Sequence, residues 1–389
     1  MEERLPIQIT VYDKAYARKG VVGAPKSVNV LLLWNLPGYA TFVVDRDHRR
    51  VNDLVTPGAR CVVTYQPRGM SRQTILSGIV SEVTGGGGPV DGTREFMILD
   101  DLNVLNEIVG YPVPANAASS QSTSAYDTRS GPLGDVIKGF VRANATGQSV
   151  PRLTVQADAG DGPTKTVKVR MTNLGEKLLP LATAAGLGVR VIQVGTTRQL
   201  QTYTPGTYPR TLTEESGVAT GVEFKITMPE VTRITVGIGG VGTARQFYGP
   251  PTTGFVDTAA EALWGIQRHE WIDARDVAQA DADKATIALQ RATERLAEGA
   301  AKTSLKCELM ENGRLAFLKS YNVGDVMTVK PAGSAALVER ASEVEIDWAE
   351  GSPEPEITPR IGDWSDSDDE ANNKLVRRLS RAVEIIGTE

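Results

Sequence analysis

TYTPGTYPRTLTEESG, residues 202–217, is the stretch on which the architecture of this chain turns. Pro205-Gly206 favours a turn, because proline pre-sets φ at the first corner and glycine accepts positive φ at the second. Pro209 pushes Tyr208 out of the helical region into an extended conformation. Local physics therefore gives strand, turn, strand, with Tyr203 and Tyr208 as amphipathic plugs. Arg210 stands where it can pair with Glu214 or Glu215. The stretch reads first as an anchored seam between domains and second as a surface for a ligand or partner. Its side chains do not form a catalytic set.

Upstream of the seam the pattern mixes helix and strand. Asp135 can cap a helix carrying Val136, Ile137, Phe140 and Val141 on one face. Asn173 with Glu176 forms a capping box for a helix presenting Leu174, Leu178 and Leu181, kinked at Pro180 and ended by Gly186. The runs RLTVQAD, TVKVRM, VRVIQV and RQLQTYT are strands, and Ala115 to Ser124 reads as a mobile loop. Further back, IQITVYD, VNVLLLW, ATFVVD, RCVVTY, TILSGIVSEV and REFMILDD form six short strands between turn residues, which suggests a small closed barrel or sandwich. Gly85 to Gly88 is a hairpin tip, and Asp101 to Val109 a short helical segment.

Downstream, Val222 to Val236 gives one or two strands. A long helix follows, with Ala278, Ala282, Ala285, Leu289, Ala292 and Leu296 in a stripe that docks on its own domain. Strands return after Lys302. The whole is mixed, β-rich α+β, divided as an N-terminal β domain over 1–110, an α+β insertion domain over 111–220 and a second β domain over 221–350 with its long helix at 276–298. An acidic linker over 351–370 and a C-terminal helix over 371–389, with Leu375, Leu379, Ala382 and Ile386 on one face, complete the chain.

With 389 residues the chain is too long for one core, and its 39 glycines among many Thr and Val favour short strands and turns. A net charge of −5 argues against a nucleic-acid-binding stripe. Cys61 and Cys307 are far apart and indicate neither a disulfide framework nor zinc. The acidic N-terminus is no signal peptide and no apolar run is long enough to span a membrane, so a soluble protein without a membrane segment is expected.

Enzyme motifs fail one by one. Gly237, Gly239 and Gly242 follow a strand in G-x-G-x-x-G spacing, but no helix starts there to hold a pyrophosphate, and no parallel strand is expected after it. His269-Glu270 lacks the second histidine of a zinc-protease helix, and His48 reads as a solvated turn residue. The carboxylate pairs Asp100-Asp101, Glu214-Glu215 and Asp366 to Glu370 lie on opposite strand faces or in loops. No catalytic, cofactor or metal residue is assigned, no cofactor is expected, and the protein is not expected to be an enzyme.

The order of segments across the chain resembles the minor tail protein family of actinobacterial siphoviruses, the ReqiPepy-type tail proteins. The resemblance is carried by ITVYDKAY (Ile9 to Tyr16), by Trp34, Asn35, Pro37 and Gly38, and by Pro57, Gly58, Ala59 and Arg60. It continues through YPVP (Tyr111 to Pro114), AYDTRSGP (Ala125 to Pro132), YTPGTYPRTLTEESG, GTAR (Gly242 to Arg245), the helix ending in LAEGA, and YNVGDVMTV (Tyr321 to Val329). Such proteins look like tail-tip hub proteins. The resemblance implies a phage tail-hub-like fold with two small tube-type β barrels or sandwiches, an α+β insertion and a C-terminal helix. Gly324 and Asp325 carry over as a structural turn. It further implies a homotrimeric ring at the virion tail tip, assembled in the host cytoplasm. The ring would join the tail tube or distal tail protein to the tape measure protein and other tail-tip proteins, closing or gating the DNA channel, with DNA present only in transit. The alternatives are a receptor- or cell-wall-glycan-binding tail protein, using the Tyr-rich stretch and the 115–131 loop, and a cell-wall hydrolase.

Overall fold

The β-rich runs at the N-terminal end become strands where alternation placed them. These are β1 (Ile7–Tyr12), β2 (Arg18–Val21), β3 (Ser27–Leu33), β4 (Tyr39–Asp45), β5 (Arg60–Tyr65), β6 (Gln73–Gly86) and β7 (Thr93–Asp100), with a single helical turn α1 (Val51–Leu54) before β5. Along β1, β3 and β4 every second residue is buried, because successive side chains of a strand face opposite sides. Ile9, Val11, Val30, Val44, Val63 and Ile98 line the covered face, where Phe42 stands opposite Phe96 with their rings 5.3 Å apart. The strands run antiparallel in the order β3-β4-β7-β6-β5-β1-β2. This computed structural model describes residues 5–362 apart from Gly87, residues 89–91, Val241 and Gly313.

Asp100 ends β7 and caps a short 3-10 turn over Asp101–Asn103, its Oδ1 accepting from the Leu102 amide at 3.0 Å. Then come α2 (Val104–Glu107), β8 (Val109–Gly110), β9 (Asp127–Pro132), α3 (Leu133–Gly147), β10 (Leu153–Val155), β11 (Thr164–Val169), β12 (Thr172–Asn173), α4 (Leu174–Ala184), β13 (Gly188–Val194) and β14 (Thr197–Tyr203). The strands form three small sheets, β10-β14-β13, β11-β9 and β12-β8. Val136, Ile137, Phe140 and Val141 of α3 are buried against Leu174, Leu178, Val191 and Leu200 in a core of their own. The caps differ from expectation. Asp135 accepts instead from the Ala159 and Gly160 amides, and Asn173 caps α4 by position without a side-chain bond. Residues 115–124 are held in place by Gln121, which donates to the Val113, Asn116 and Ala117 carbonyls and accepts from the Val113 amide, so the expected mobile loop is an ordered turn.

The chain leaves the first compact unit at Val222 and returns to it at Lys306; Glu223–Leu305 is a second unit. The expected β domain over 221–350 is thus divided. Strand β15 (Thr207–Thr213) precedes the inserted unit and β16 (Ala219–Thr227) runs into it; the unit then holds β17 (Arg233–Ile238), β18 (Phe247–Tyr248), α5 (Thr258–Trp264), β19 (His269–Ala274) and α6 (Lys284–Glu298). Helix α6 begins eight residues later than the expected 276–298. Its buried face carries Ala288 and Ala292, with Ile287 and Leu296 beside them, while Leu289 is exposed. The expected stripe is therefore met at Ala292 and Leu296 and missed at Ala285 and Leu289, which are exposed, because Ala offers so little apolar contrast that neighbouring registers look alike.

After β20 (Lys302–Leu309) the strands β21 (Val326–Lys330), β22 (Leu337–Ala349) and β23 (Glu356–Ile361) rejoin the main sheet. β22 lies along β3, with Ile346 opposite Val30, and the sheet continues β22-β23-β20-β16, while β21 pairs with β22 and β15. Thirteen strands thus form one hydrogen-bonded sheet, where the sequence suggested separate closed barrels. The acidic linker expected over 351–370 is strand at Glu356–Ile361, with Ile357, Pro359 and Ile361 buried. The expected helix over 371–389 lies outside the described residues.

Candidate functional site: the central junction

Pro205 and Gly206 sit between β14, in a small sheet, and β15, in the large one, so the opening stretch crosses between sheets rather than closing a hairpin. Gly206 does not take the positive φ that a type II corner would need. Its use is proximity: the Asp325 carboxylate lies 3.3 Å from where a Cβ would stand. Asp325 is buried; its Oδ1 accepts from the Gly206 amide at 2.6 Å and its Oδ2 from the Asn322 amide at 2.8 Å. The Val326 amide donates back to the Gly206 carbonyl at 2.9 Å, starting the parallel pairing of β15 with β21. Charge-assisted bonds to backbone amides are short and strong, so one carboxylate locks the crossing to the turn before β21.

The turn between β3 and β4 reaches the same place. Gly324 has φ 93°, and a Cβ there would stand 2.5 Å from the Trp34 ring. Arg340 lies 4.6 Å from the centre of that indole and donates to the Gly324 carbonyl at 2.9 Å. The next residue, Asn35, takes a left-handed φ of 55° and buries its amide. Its Nδ2 donates to the Leu187 carbonyl at 2.8 Å, and its Oδ1 accepts from the Val189 amide at 2.7 Å. This copies a strand's bonding and fastens the start of β13 to the β3–β4 turn. Gly38 closes that turn, because a Cβ would stand 2.2 Å from the Leu31 carbonyl.

A second buried knot holds the other side. Arg60 Nη2 donates to both oxygens of Asp101 at 2.5 and 2.6 Å, and Ser77 Oγ donates to Asp101 at 2.7 Å. Ser77 in turn accepts from the Gln193 amide at 2.8 Å, which ties β6 to β13. The Arg60 and Arg152 guanidiniums lie 4.5 and 5.2 Å from the Tyr16 ring centre, and Arg198 stands 3.9 Å from Asp101. Adjacent Asp100 accepts from Gly38 and Leu102, and burial pushes its carboxyl up to about 7. A raised carboxyl pKa means that the folded state holds a proton the unfolded chain has released. Stability is then fullest below the ordinary carboxylate range and falls as pH rises towards about 7. Asp100→Asn, which cannot ionise, is expected to flatten that decline. Melting temperatures of both proteins between pH 4 and 7.5 check it, and parallel curves would refute it.

The cysteines and histidines are packed or hydrogen-bonded. The Cys61 and Cys307 thiols are buried and pushed up to about 12 and about 11, far from thiolates. No cluster of metal-ligating side chains occurs among the described residues. His269 Nε2 sits 2.8 Å from Thr235 Oγ1, and His48 Nδ1 accepts from the Arg50 amide, so His48 is a part-buried turn brace rather than a solvated residue. Glu214 and Glu215 are exposed on a 3-10 turn, and exposed Arg210 makes no ion pair with them. Asp366 to Glu370 lie outside the described residues.

At the glycine motif the structure corrects one expectation. β19 does pair parallel with β17, through a crossover containing α5. Still, only a three-residue 3-10 turn follows Gly242, and the Trp271 ring fills the space beside Gly237 that a phosphate would need. As for the Tyr-rich stretch, Tyr208 is buried and Tyr203 half-buried over Gly188, so it offers no open ligand surface. Sequence reasoning missed Asn35, Asp101 and Asp325 as tertiary anchors, because Asn and Asp beside Gly and Pro also signal a plain turn.

Comparison with known proteins gives a consistent picture. A family model described as Siphovirus ReqiPepy6 Gp37-like protein matches residues 8–363. No curated protein matches the chain. Among solved structures, the 43 kDa tail protein of prophage MuSo2 from Shewanella oneidensis is similar at 11% identity and TM-score 0.52, covering 91% of this chain and 98% of that one. The prophage tail protein gp18 from Listeria monocytogenes EGD-e is similar at 11% identity and TM-score 0.52, over 96% of this chain and 99% of that one. At such identities the likeness is one of fold.

Proposed function

The chain belongs to the siphovirus ReqiPepy6 Gp37-like family of phage tail proteins, and from that premise we propose that it is a structural hub at the tail tip. Three copies form a ring that joins the tail tube to the tail-tip proteins and closes or gates the DNA channel. One observation supports this reading: in the continuous main sheet β22 pairs with β3, and on either side of that pairing stand six strands, setting aside the short edge strand β2. One group is β1, β3, β4, β5, β6 and β7; the other is β15, β16, β20, β21, β22 and β23. Two such groups per chain match two tube-type positions, so three chains supply six around a closed ring.

Charge supports a passage for DNA. On β22, Glu343, Glu345 and Asp347 alternate with buried Val344, Ile346 and Trp348; Arg360 of β23 pairs with Glu343 and Glu345, and Asn29 of β3 donates to Glu345 and Asp347. An acidic surface offers phosphates no cations on which to release counterions, so DNA slides past without being held.

Mass measurement of the purified chain across a concentration series, with negative-stain imaging of assembled tails, tests the proposal. The expected result is a trimer with a threefold ring. A monomer at every concentration, with no such ring at the tail tip, overturns it.

A further inference from the structure

We propose that the outer face of the sheet β18-β17-β19 in the inserted unit binds a neutral, hydroxyl-rich oligosaccharide. The opposite face of this sheet is filled: Ile234, Val236 and Ile238 pack with Ala288 and Ala292 of α6. The outer face presents Phe247, 59% exposed, and Trp271, 45% exposed, with ring centres 5.6 Å apart at 47°. Solvent exposure of two large rings side by side is unusual without a partner, since together they offer the apolar area that recognition sites use.

These rings are held rigidly, as a binding platform requires. Gly237 has no side chain, and the Trp271 ring occupies the space a Cβ would fill. Arg245, from the GTAR segment that the hub reading leaves unused, lies 4.8 Å from the Trp271 ring centre and 5.9 Å from that of Phe247. Its guanidinium donates to the Gly237 and Ile238 carbonyls at 3.1 and 3.2 Å and pairs with Asp273. Trp271 is therefore braced by Gly237 and Arg245 before any ligand arrives, which lowers the entropy it loses on binding.

The chemistry around the rings selects the ligand. Asp273 is an exposed acceptor, His269 and Thr235 hydrogen-bond to each other at the surface, and Arg275 stands 3.2 Å from Asp273. Donors and acceptors of both signs thus surround a small apolar platform. A pyranose matches this: its C–H face stacks on an electron-rich ring, and its hydroxyls both donate and accept at the edge. Against nucleic acid, the two arginines at the rim, Arg245 and Arg275, both pair with Asp273, which leaves phosphates less charge to bind. A protein partner would use a wider apolar core than two rings.

The inference does not rest on the ring reading, and its test separates the two. The full chain is titrated with four neutral tetrasaccharides, of glucose, galactose, mannose and N-acetylglucosamine, followed by saturation-transfer NMR, with a twelve-residue oligothymidylate as a competitor. At least one sugar is expected to bind, and Trp271→Ala to weaken it by at least about tenfold. The variant should keep the wild-type melting temperature and mass in solution. Phe247→Ala serves as the second variant, since Phe247 buries little and its loss leaves the fold intact. The proposal is overturned by no binding across the panel at 20 mM, or by equal binding in both variants. It is equally overturned by displacement with oligothymidylate, or by a change of oligomer mass in Trp271→Ala, which would mark the face as a contact between copies.

Discussion

Asp101→Ala is expected to cost about 3–5 kcal/mol, because it strips the partner from a buried cation. Only 6% of the Arg60 side chain and 2% of that of Asp101 reach solvent. In the variant, Arg60 would stay buried against Tyr16 with no anion, Ser77 would lose its acceptor, and Arg198 would lose the only carboxylate near it in this knot. An ion in a low-dielectric place without a counter-charge carries a desolvation penalty that nothing repays. Arg60→Met in the Asp101→Ala background removes the stranded charge and is expected to recover part of the loss. Urea-unfolding midpoints of the wild type and both variants, compared at constant slope, decide the matter. A loss below about 1 kcal/mol in Asp101→Ala would show that water reaches the knot and that it is not a sealed pair.

Asp325→Ala should follow, at about 2–4 kcal/mol, for a different reason. Here the loss falls on two amides, those of Gly206 and Asn322, which lose carboxyl acceptors at 2.6 and 2.8 Å. Bonds to charged groups contribute about 1.5–3 kcal/mol each, and a buried amide left empty pays its full desolvation cost. The consequence reaches further than stability. The same carboxylate fixes where β15 meets β21, so the variant should also lose protection of the Thr211 to Thr213 amides in hydrogen exchange. Asp325→Asn keeps one acceptor oxygen and should fall between the two. Unchanged exchange along β15 in Asp325→Ala would sink the idea that this side chain sets the crossing.

How much of this was legible beforehand depends on what kind of information each feature needs. IQITVY, SVNVLLL and YATFVVD announce strands because alternation is written locally, and the structure places β1, β3 and β4 on those runs. The helix carrying Val136, Ile137, Phe140 and Val141 was equally plain. Partners were not legible. That Ile346 would lie opposite Val30, across more than three hundred residues, is fixed by packing, and no local pattern records it. EITPRI was hidden by composition: an acidic, proline-bearing stretch resembles a linker until Ile357, Pro359 and Ile361 are seen to share one buried face. The junction was half visible. Pro205-Gly206 and Gly324-Asp325 mark turns and Trp34-Asn35 the end of a strand, but no local pattern records that they meet, and only their convergence makes them anchors.

The strands through which the chain departs and comes back, β16 and β20, are neighbours in one sheet. Residues 223–305 therefore begin and end at almost the same place, with both attachment points bonded into the frame. A segment joined in this way is a cassette. Because its two ends lie on paired strands, a change of length between β16 and β20 need not alter the register of the strands outside it. What Trp271 and Phe247 present can then vary separately from the junction around Asp325 and the knot around Asp101, which both lie outside residues 223–305.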